Sequence, residues 1–497
     1  MALTPKKIYD DFKNKKLDKI SAADLLVYLI ENNIDIENRI NCINTLVKIN
    51  NKDKKIFTLL ESILISESHV QIRLSASRAL KMLFGKKALV PLEWALDNLN
   101  TLESSIAITS MIAEIDDDNA KEVLIKRLKN LHDLKFMKSL NHLFETNSVY
   151  NLSNKELASI LNNYFVIAYI KQKITKFEYQ VVDGFVTTLD LSNTNCWEIL
   201  KRLSDIINTL KRLKKLNLRS SRLGSLPASI RTLTSLSYLD LSYNFIQEVP
   251  KHINSLNSLE YLDLNNNKLT VIPSSIGSLK LLEVLSLRHN DLSTLPHSFS
   301  KLKSLKVLDL HGNKITKIPK CLSHLASLEI LELGLNNIKE IPKWIKKINS
   351  LNKLGLTGNR NLRILNEWIN HLPPLKALDL TNINMKEFPL EIKHLRSLEK
   401  LILKNNQLEV LPETFKTLTS LKKLNLGWNN FTSLPDWIGK LSNLEELNLS
   451  GNKLKTLPES ISFISSLKIL KLESNMERIV LPDSIKQMQA KDLKIYQ

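Results

Sequence analysis

After residue 213 this chain is ruled by one period. A leucine opens a recurring pattern at 213, 236, 259, 282, 305, 328, 351, 375, 398, 421, 444 and 467, at intervals of 23 residues except for the 24 between 351 and 375. A looser copy begins at Val186. A fixed period of this size belongs to stacked units that bury each other's apolar face, not to a single closed core. The unit Leu259–Leu279, LEYLDLNNNKLTVIPSSIGSL, shows how. Leu262 and Leu264 alternate with polar residues, which predicts a short strand with one buried face, and side-by-side stacking makes a parallel sheet. In the second half Ile272, Ile276 and Leu279 fall three or four apart. Pro273 fixes φ at the first turn, so this half predicts a short helix or 3₁₀ segment returning over the back of the sheet.

An asparagine column follows each strand: Asn244, Asn267, Asn290, Asn313, Asn336, Asn359, Asn406, Asn429, Asn452 and Asn475. It stands where the chain turns inward and backbone groups need partners. An amide supplies both donor and acceptor, so the column reads as a structural ladder. It lapses at Thr194, Ser221 and Ile383, and the proline column lapses at Asn366, which makes 351–397 the least regular stretch expected. The end segment DLKIYQ is expected to be a truncated last strand, with Ala490, Leu493 and Ile495 in register with the repeat that starts at Leu467.

Residues 1–176 carry no such period and read as helices up to about Lys173, with apolar residues three and four apart. Ser21, three residues before Asp24, is expected to open one of them in a near capping box. Small residues Ser75, Ala76 and Ala79 would let paired helices approach closely. KFEYQVVDGFVTTLD follows, two β-rich runs around Asp183-Gly184 that predict a hairpin capping the open edge of the sheet. The domains expected are thus 1–176, helical, and 177–497, about thirteen repeats plus caps.

Chemistry is not legible in the motifs. GxxxxGK[ST], HExxH, CxxC and GxSxG are all missing, the three cysteines Cys42, Cys196 and Cys321 lack paired spacing, and the histidines lack a metal-like grouping. No catalytic residue, metal or cofactor is expected; the chain reads as a non-enzyme. The scattered cysteines, the polar start MALTPKKIYDDFKNKK and the lack of a long apolar run point to a cytoplasmic protein without a transmembrane segment. Net charge is +19, and most of the excess lies after residue 180, where 44 Lys+Arg face 29 Asp+Glu. These lysines sit mainly at variable positions, which suits a solubilising surface. The alternative is a basic solenoid for nucleic acid or an anionic membrane surface.

What remains is the concave face formed by the variable residues of LxxLxLxx. One column reads Tyr238, Tyr261, Val284, Val307 and Ile330; the next reads Asp240, Asp263, Ser286, Asp309 and Glu332; beyond them stand Tyr243, Arg288, His289, His311, Leu335 and Trp428. An aromatic and aliphatic stripe beside an acidic one, with a few cations, has the makeup of a protein-binding centre. The alternative is that aspartate in LDLS is only a filler of the repeat.

The LPxxIxxLxxL form with a 23-residue period resembles the intracellular class of leucine-rich repeats, such as the Ras-suppressor type of scaffold and the plant intracellular Ras-group-related proteins. HVQIRLSASRALKMLFGKKALVPLEWAL resembles a HEAT-like repeat over roughly 35–130, of the kind found in phycobilisome lyases. The fold these resemblances imply is an α/β repeat solenoid preceded by an all-α HEAT-like domain. The role they imply is a scaffold or adaptor in signalling, with small GTPases or other signalling proteins as partners; separately, a monomer is favoured, and the spread of the lysines disfavours nucleic acid.

Overall fold

The computed structural model describes residues 3–99, 101–195, 207–362, 368–476, 479–489 and 492–497. The expectations placed on Cys196, Asn366 and Ala490 fall outside them. The chain divides into two compact units, Met1–Leu189 with Asp205–Leu213 and Asp190–Ser204 with Lys214–Gln497.

The first unit is helical. Ten helices are described: α1 (Pro5–Lys13), α2 (Lys19–Asn32), α3 (Ile36–Ile49), α4 (Lys54–Ser66), α5 (Val70–Phe84), α6 (Leu89–Asn98), α7 (Leu102–Ala113), α8 (Asp118–Lys129), α9 (Leu134–Glu145) and α10 (Asn154–Lys173). They pack as neighbouring hairpins: α2 against α3, α4 against α5, α6 against α7, while α3, α5, α7 and α10 pack in succession along one layer. Ser75, Ala76 and Ala79 are buried at that layer, where bulk would hold the helices apart. Ser21 is not the cap expected of it. Helix α2 starts three residues earlier, with Asp18 accepting the Ser21 backbone N–H at 2.7 Å, because a carboxylate at the N-cap binds that amide and leaves Ser21 inside the first turn. The full capping box lies elsewhere, between Ser153 and Glu156 at the start of α10.

The predicted hairpin is present as β1 (Glu178–Val182) and β2 (Phe185–Asp190), with Asp183 and Gly184 both at positive φ, 50° and 76°. Asp133 caps α9 and ties three elements together. It accepts hydrogen bonds from the Tyr179 hydroxyl at 2.5 Å and from Lys171 Nζ at 2.7 Å, on β1 and α10. Burial alone would raise its pKa, yet those two donors and the Phe136 backbone N–H hold it below the ordinary value.

In the second unit three-residue strands add in chain order, each parallel to the next, with Leu216, Leu239, Leu262, Leu285, Leu308, Leu331 and Leu354 in one register. The register continues through Leu378, Leu401, Leu424, Leu447 and Leu470. The return segments are five-residue 3₁₀ turns such as Ser274–Ser278, opened by prolines near φ −67°. The last strand, Lys494–Tyr496, is present, but its register differs from expectation by two residues: Leu470 pairs with Ile495 and not with Leu493. A true helix, Asp483–Gln489, stands in that final return where other repeats have a 3₁₀ turn, and the longer segment absorbs the two residues.

The asparagine ladder carries the bonds its chemistry allows. Asn290 Nδ2 donates to the carbonyls of Leu264 (2.9 Å), Leu287 (3.1 Å) and Arg288 (3.2 Å), and Oδ1 accepts from Leu269 N (3.0 Å). Leu264 and Leu269 belong to the preceding repeat, so each amide stitches two repeats together. At the lapses the neighbours compensate. Ser221 Oγ donates to Leu191 O at 2.9 Å, and Ile383, which has no polar group, is 1% exposed while Asn406 Oδ1 takes both Ile383 N and Met385 N at 3.1 Å.

Candidate functional site

The strand leucines point into the core and are wholly buried, so the residues flanking them face outward. Tyr238, Tyr261, Val284, Val307 and Ile330 are half-buried and lie on adjacent strands in one register. The Tyr238 and Tyr261 rings stack with centroids 4.4 Å apart and planes 8° apart, a close parallel pairing that the parallel register imposes on identical side chains. Burial raises the pKa of both phenols, and the neighbouring aspartates raise it further, so both stay protonated.

The acidic column is more constrained than its sequence suggests. Asp240 and Asp263 are 6% and 7% exposed, and each accepts the backbone N–H two residues on, from Ser242 and Asn265, both at 2.8 Å. Asp309 does the same for His311 at 2.9 Å. These carboxylates brace the strand exit as Asx turns. Burial raises the pKa of Asp263 and Asp309. Glu332 instead reaches Lys353 on the next strand at 2.6 Å.

Arg288, His289, His311 and Asp309 form the other group. The two imidazoles meet edge to face with centroids 5.5 Å apart. Burial, with Arg288 and His289 adding positive charge, lowers the pKa of His311 to about 4, so it is neutral at physiological pH. Among the described residues no set of three or more histidine, cysteine or acidic side chains could hold a metal ion.

Tyr243, His289 and Trp428 are not strand residues. They sit in the turn just before the ladder asparagine, a column at positive φ throughout: Tyr243 56°, Asn266 52°, His289 48°, Gly312 70°, Leu335 47°, Gly358 74°, Trp428 58° and Gly451 65°. Glycine and asparagine tolerate that conformation, whereas a bulky side chain there is strained. Sterics fix the order of residues along the column. A Cβ on Gly358 would come 2.5 Å from Leu335 and one on Gly451 2.6 Å from Trp428, while His289 would press on a Cβ at Gly312. Two inner columns behave alike: a Cβ on Gly334 would come 2.5 Å from His311, and Glu332 lies where a Cβ of Gly355 would be. Side chains on this surface therefore lean toward the following repeat, and five of the chain's eleven glycines yield to a larger residue one repeat earlier.

The structure thus brings Tyr238, Tyr261, Val284, Arg288, His289, Asp309, His311 and Glu332 onto adjoining repeats, and leaves Trp428 apart in the repeat that starts at Leu421. Leu335, 47% exposed, stands in the same turn column as Tyr243 and His289, as the sequence placed it.

The model described as a leucine-rich repeat region matches residues 184–286, 250–365 and 363–449, and a second leucine-rich repeat model matches 429–476. No curated protein matches the chain. A solved leucine-rich repeat protein of Leptospira interrogans is 34% identical, with 60% of this chain and 87% of that one covered at a TM-score of 0.47. An internalin of Listeria monocytogenes is 20% identical, with 67% and 93% covered at a TM-score of 0.51. With the repeat models spanning more than half its length and the ladder, strands and 3₁₀ returns all in place, the chain belongs to the leucine-rich repeat proteins.

Proposed function

We propose that this protein is a non-enzymatic adaptor that holds a protein partner on the open sheet face between the strands Tyr238–Asp240 and Ile330–Glu332. Leucine-rich repeat folds generally mediate protein–protein interaction, and members of the family are typically interaction modules without catalysis. The observation that carries the reading is the half-buried stripe Tyr238, Tyr261, Val284, Val307 and Ile330 on adjacent strands, flanked by Arg288, His311 and Glu332. Interfaces concentrate their energy in such aromatic and arginine anchors.

The resemblance to Ras-suppressor-type scaffolds favours intracellular signalling, with small GTPases among the partners to test first and the helical unit, HEAT-like in sequence, as a second surface. No described helix is long and apolar enough to cross a membrane, and the unpaired buried thiols of Cys42 and Cys321 suit a reducing compartment such as the cytoplasm.

The test is affinity capture with the full chain, run at low and high salt. Tyr261→Ala combined with Arg288→Ala is expected to abolish recovery of the partner, each truncation being worth ~2 kcal/mol or more. Glutamine at Lys343, Lys346 and Lys347, in the 3₁₀ return Lys343–Lys347, is expected to change it little. If those lysines matter and the sheet-face pair does not, the surface is charge-driven and the nucleic-acid or membrane reading replaces this one.

A further inference from the structure

Beside the sheet face, the turn edge of the first repeats carries a second constellation that the stripe does not use. Arg219, Arg222, Tyr243, Phe245 and Lys268 are all exposed there, Tyr243 by 47% and Phe245 by 51%. The Arg219 guanidinium lies over the Tyr243 ring, 4.3 Å from its centroid, and Lys268 Nζ lies 5.2 Å from the centroid of Phe245. Arg222 and Tyr243 hold φ at 57° and 56°, a conformation that disfavours both side chains and that asparagine or glycine would occupy without strain. Left-handed backbone recurs at this turn along the repeats, so what sets this edge apart is its side chains, two exposed aromatics each with a cation over its ring.

The backbone beneath is fixed. Phe245 N donates to Leu223 O at 2.8 Å and Lys268 N to Ile246 O at 2.9 Å, so the side chains project from a rigid ladder and little ordering is left for a ligand to impose. Charge then selects the ligand. Among the described residues none of the three cations has a carboxylate within ion-pair distance. The next acid along the same column, Asp291, is already held by Lys314 at 2.7 Å.

We propose that this edge docks an acidic segment of a partner protein, its carboxylates on Arg219, Arg222 and Lys268 and an apolar side chain against Tyr243 and Phe245. Charge complementarity asks for an anion. The cations already resting on the two rings favour carboxylates beside them over the nucleobases that open ring faces stack.

The experiment is selection of a random twelve-residue peptide library on the full chain, followed by fluorescence anisotropy of the enriched peptides. Sequences with two or more Asp or Glu and an apolar residue are expected to emerge. Their affinity is expected to fall at least tenfold in Arg219→Gln with Lys268→Gln, and likewise in Tyr243→Asn, which keeps the backbone conformation. Lys343→Gln with Lys346→Gln removes the same charge from a return segment and is expected to leave binding within twofold. Melting temperatures of all variants establish that they are folded, and Lys268→Glu serves if the double variant is not. Enrichment without acidic residues, or equal loss in the Lys343 and Lys346 control, overturns the proposal. So does tighter binding of a twenty-nucleotide oligo-dT that is lost in the same edge variants, which would make this a nucleic-acid surface.

Discussion

Over the strands from Tyr238–Asp240 to Ile330–Glu332 the first outward column is aromatic and aliphatic, whereas over those from Lys400–Ile402 to Ile469–Lys471 it reads Lys400, Lys423, Glu446 and Ile469. The backbone of the two stretches is the same. Both keep the leucine register, the asparagine ladder and the proline-opened 3₁₀ return. In the second stretch the outward residues answer one another: Glu446 is bridged by Lys471 at 2.9 Å and Lys423 at 3.3 Å, and Glu399 and Glu445 pair with Lys422 and Lys468 at 2.7 and 2.9 Å. In the first, Tyr261 reaches Asp263 at 3.4 Å and Lys306 pairs with Glu283 at 2.8 Å, but no member of the column from Tyr238 to Ile330 carries a charge to pair. The inward columns hold the repeat together and are replicated; the outward ones are free to differ, and between these two stretches they do.

The sharpest way to break that separation is to damage an inward column. Asn290→Ala removes three donated bonds and one accepted bond from buried backbone groups, and is expected to cost ~3 kcal/mol in chemical denaturation. Lys314→Ala, which ends only an exposed ion pair with Asp291, is expected to cost ~0.5 kcal/mol or less. Equal costs would mean that the ladder is not what binds the repeats.

Glycines that yield to a neighbour test the columns between. Gly451→Ala puts a Cβ 2.6 Å from Trp428 at φ 65° and is expected to cost ~2 kcal/mol or more, part of which Trp428→Ser should restore. Gly224, with nothing within 4 Å of a Cβ, is expected to accept alanine within ~0.5 kcal/mol. Additive behaviour of Gly451 and Trp428 in thermal melts would end the account of side chains leaning on the next repeat.

A smaller effect is readable in pH. With its folded pKa at about 4 against 6.5 unfolded, His311 takes up its proton more readily in the unfolded chain between those values. Its contribution to stability is therefore present above about 6.5 and is lost as pH falls toward 4, by ~1–2 kcal/mol once solvent screening of a half-buried group is allowed for. Asp263 and Asp309, whose pKa values are raised, act in the opposite sense, since their protonation at low pH favours the folded state. The measurement is thus a difference: denaturant midpoints of the wild type and His311→Gln from pH 7 to 4.5, with the variant expected to lose less on acidification. Parallel curves would show that His311 is not held neutral by its site.

The smallest change belongs to the second stretch, where Glu399→Gln opens the solvent-facing pair with Lys422 and is expected to leave the melting temperature unmoved. A clear drop would give the outward columns there a structural share that the comparison denies them.

How much of this was readable in advance follows from where the information sits. The capping box Ser153–Glu156 stands in the sequence as S-x-x-E, but Ser21 and Asp24 offer nearly the same spacing, and only the start of α2 at Lys19 shows Asp18 to be the cap there. The last strand was legible from its alternation. Its register was not, because the pattern of leucines is silent on how many residues the return Asp483–Gln489 takes up. Asp240 and Asp263 looked free to meet a partner, and the turn amides that claim them appear only once the backbone is bent around them.

By itself the sequence determined the stacking, the buried leucines, the amide ladder and the proline-opened returns, since each depends on contacts between one unit and its neighbour, and a strict period makes every neighbour alike. Tertiary structure alone decided that Tyr238 and Tyr261 stack, that the column before the ladder turns left-handed, and that Leu335 and Trp428 survive there because Gly358 and Gly451 make room. Those outcomes depend on the angle at which a side chain leaves one repeat and the space it meets on the next, quantities that a period fixes only after the chain has folded.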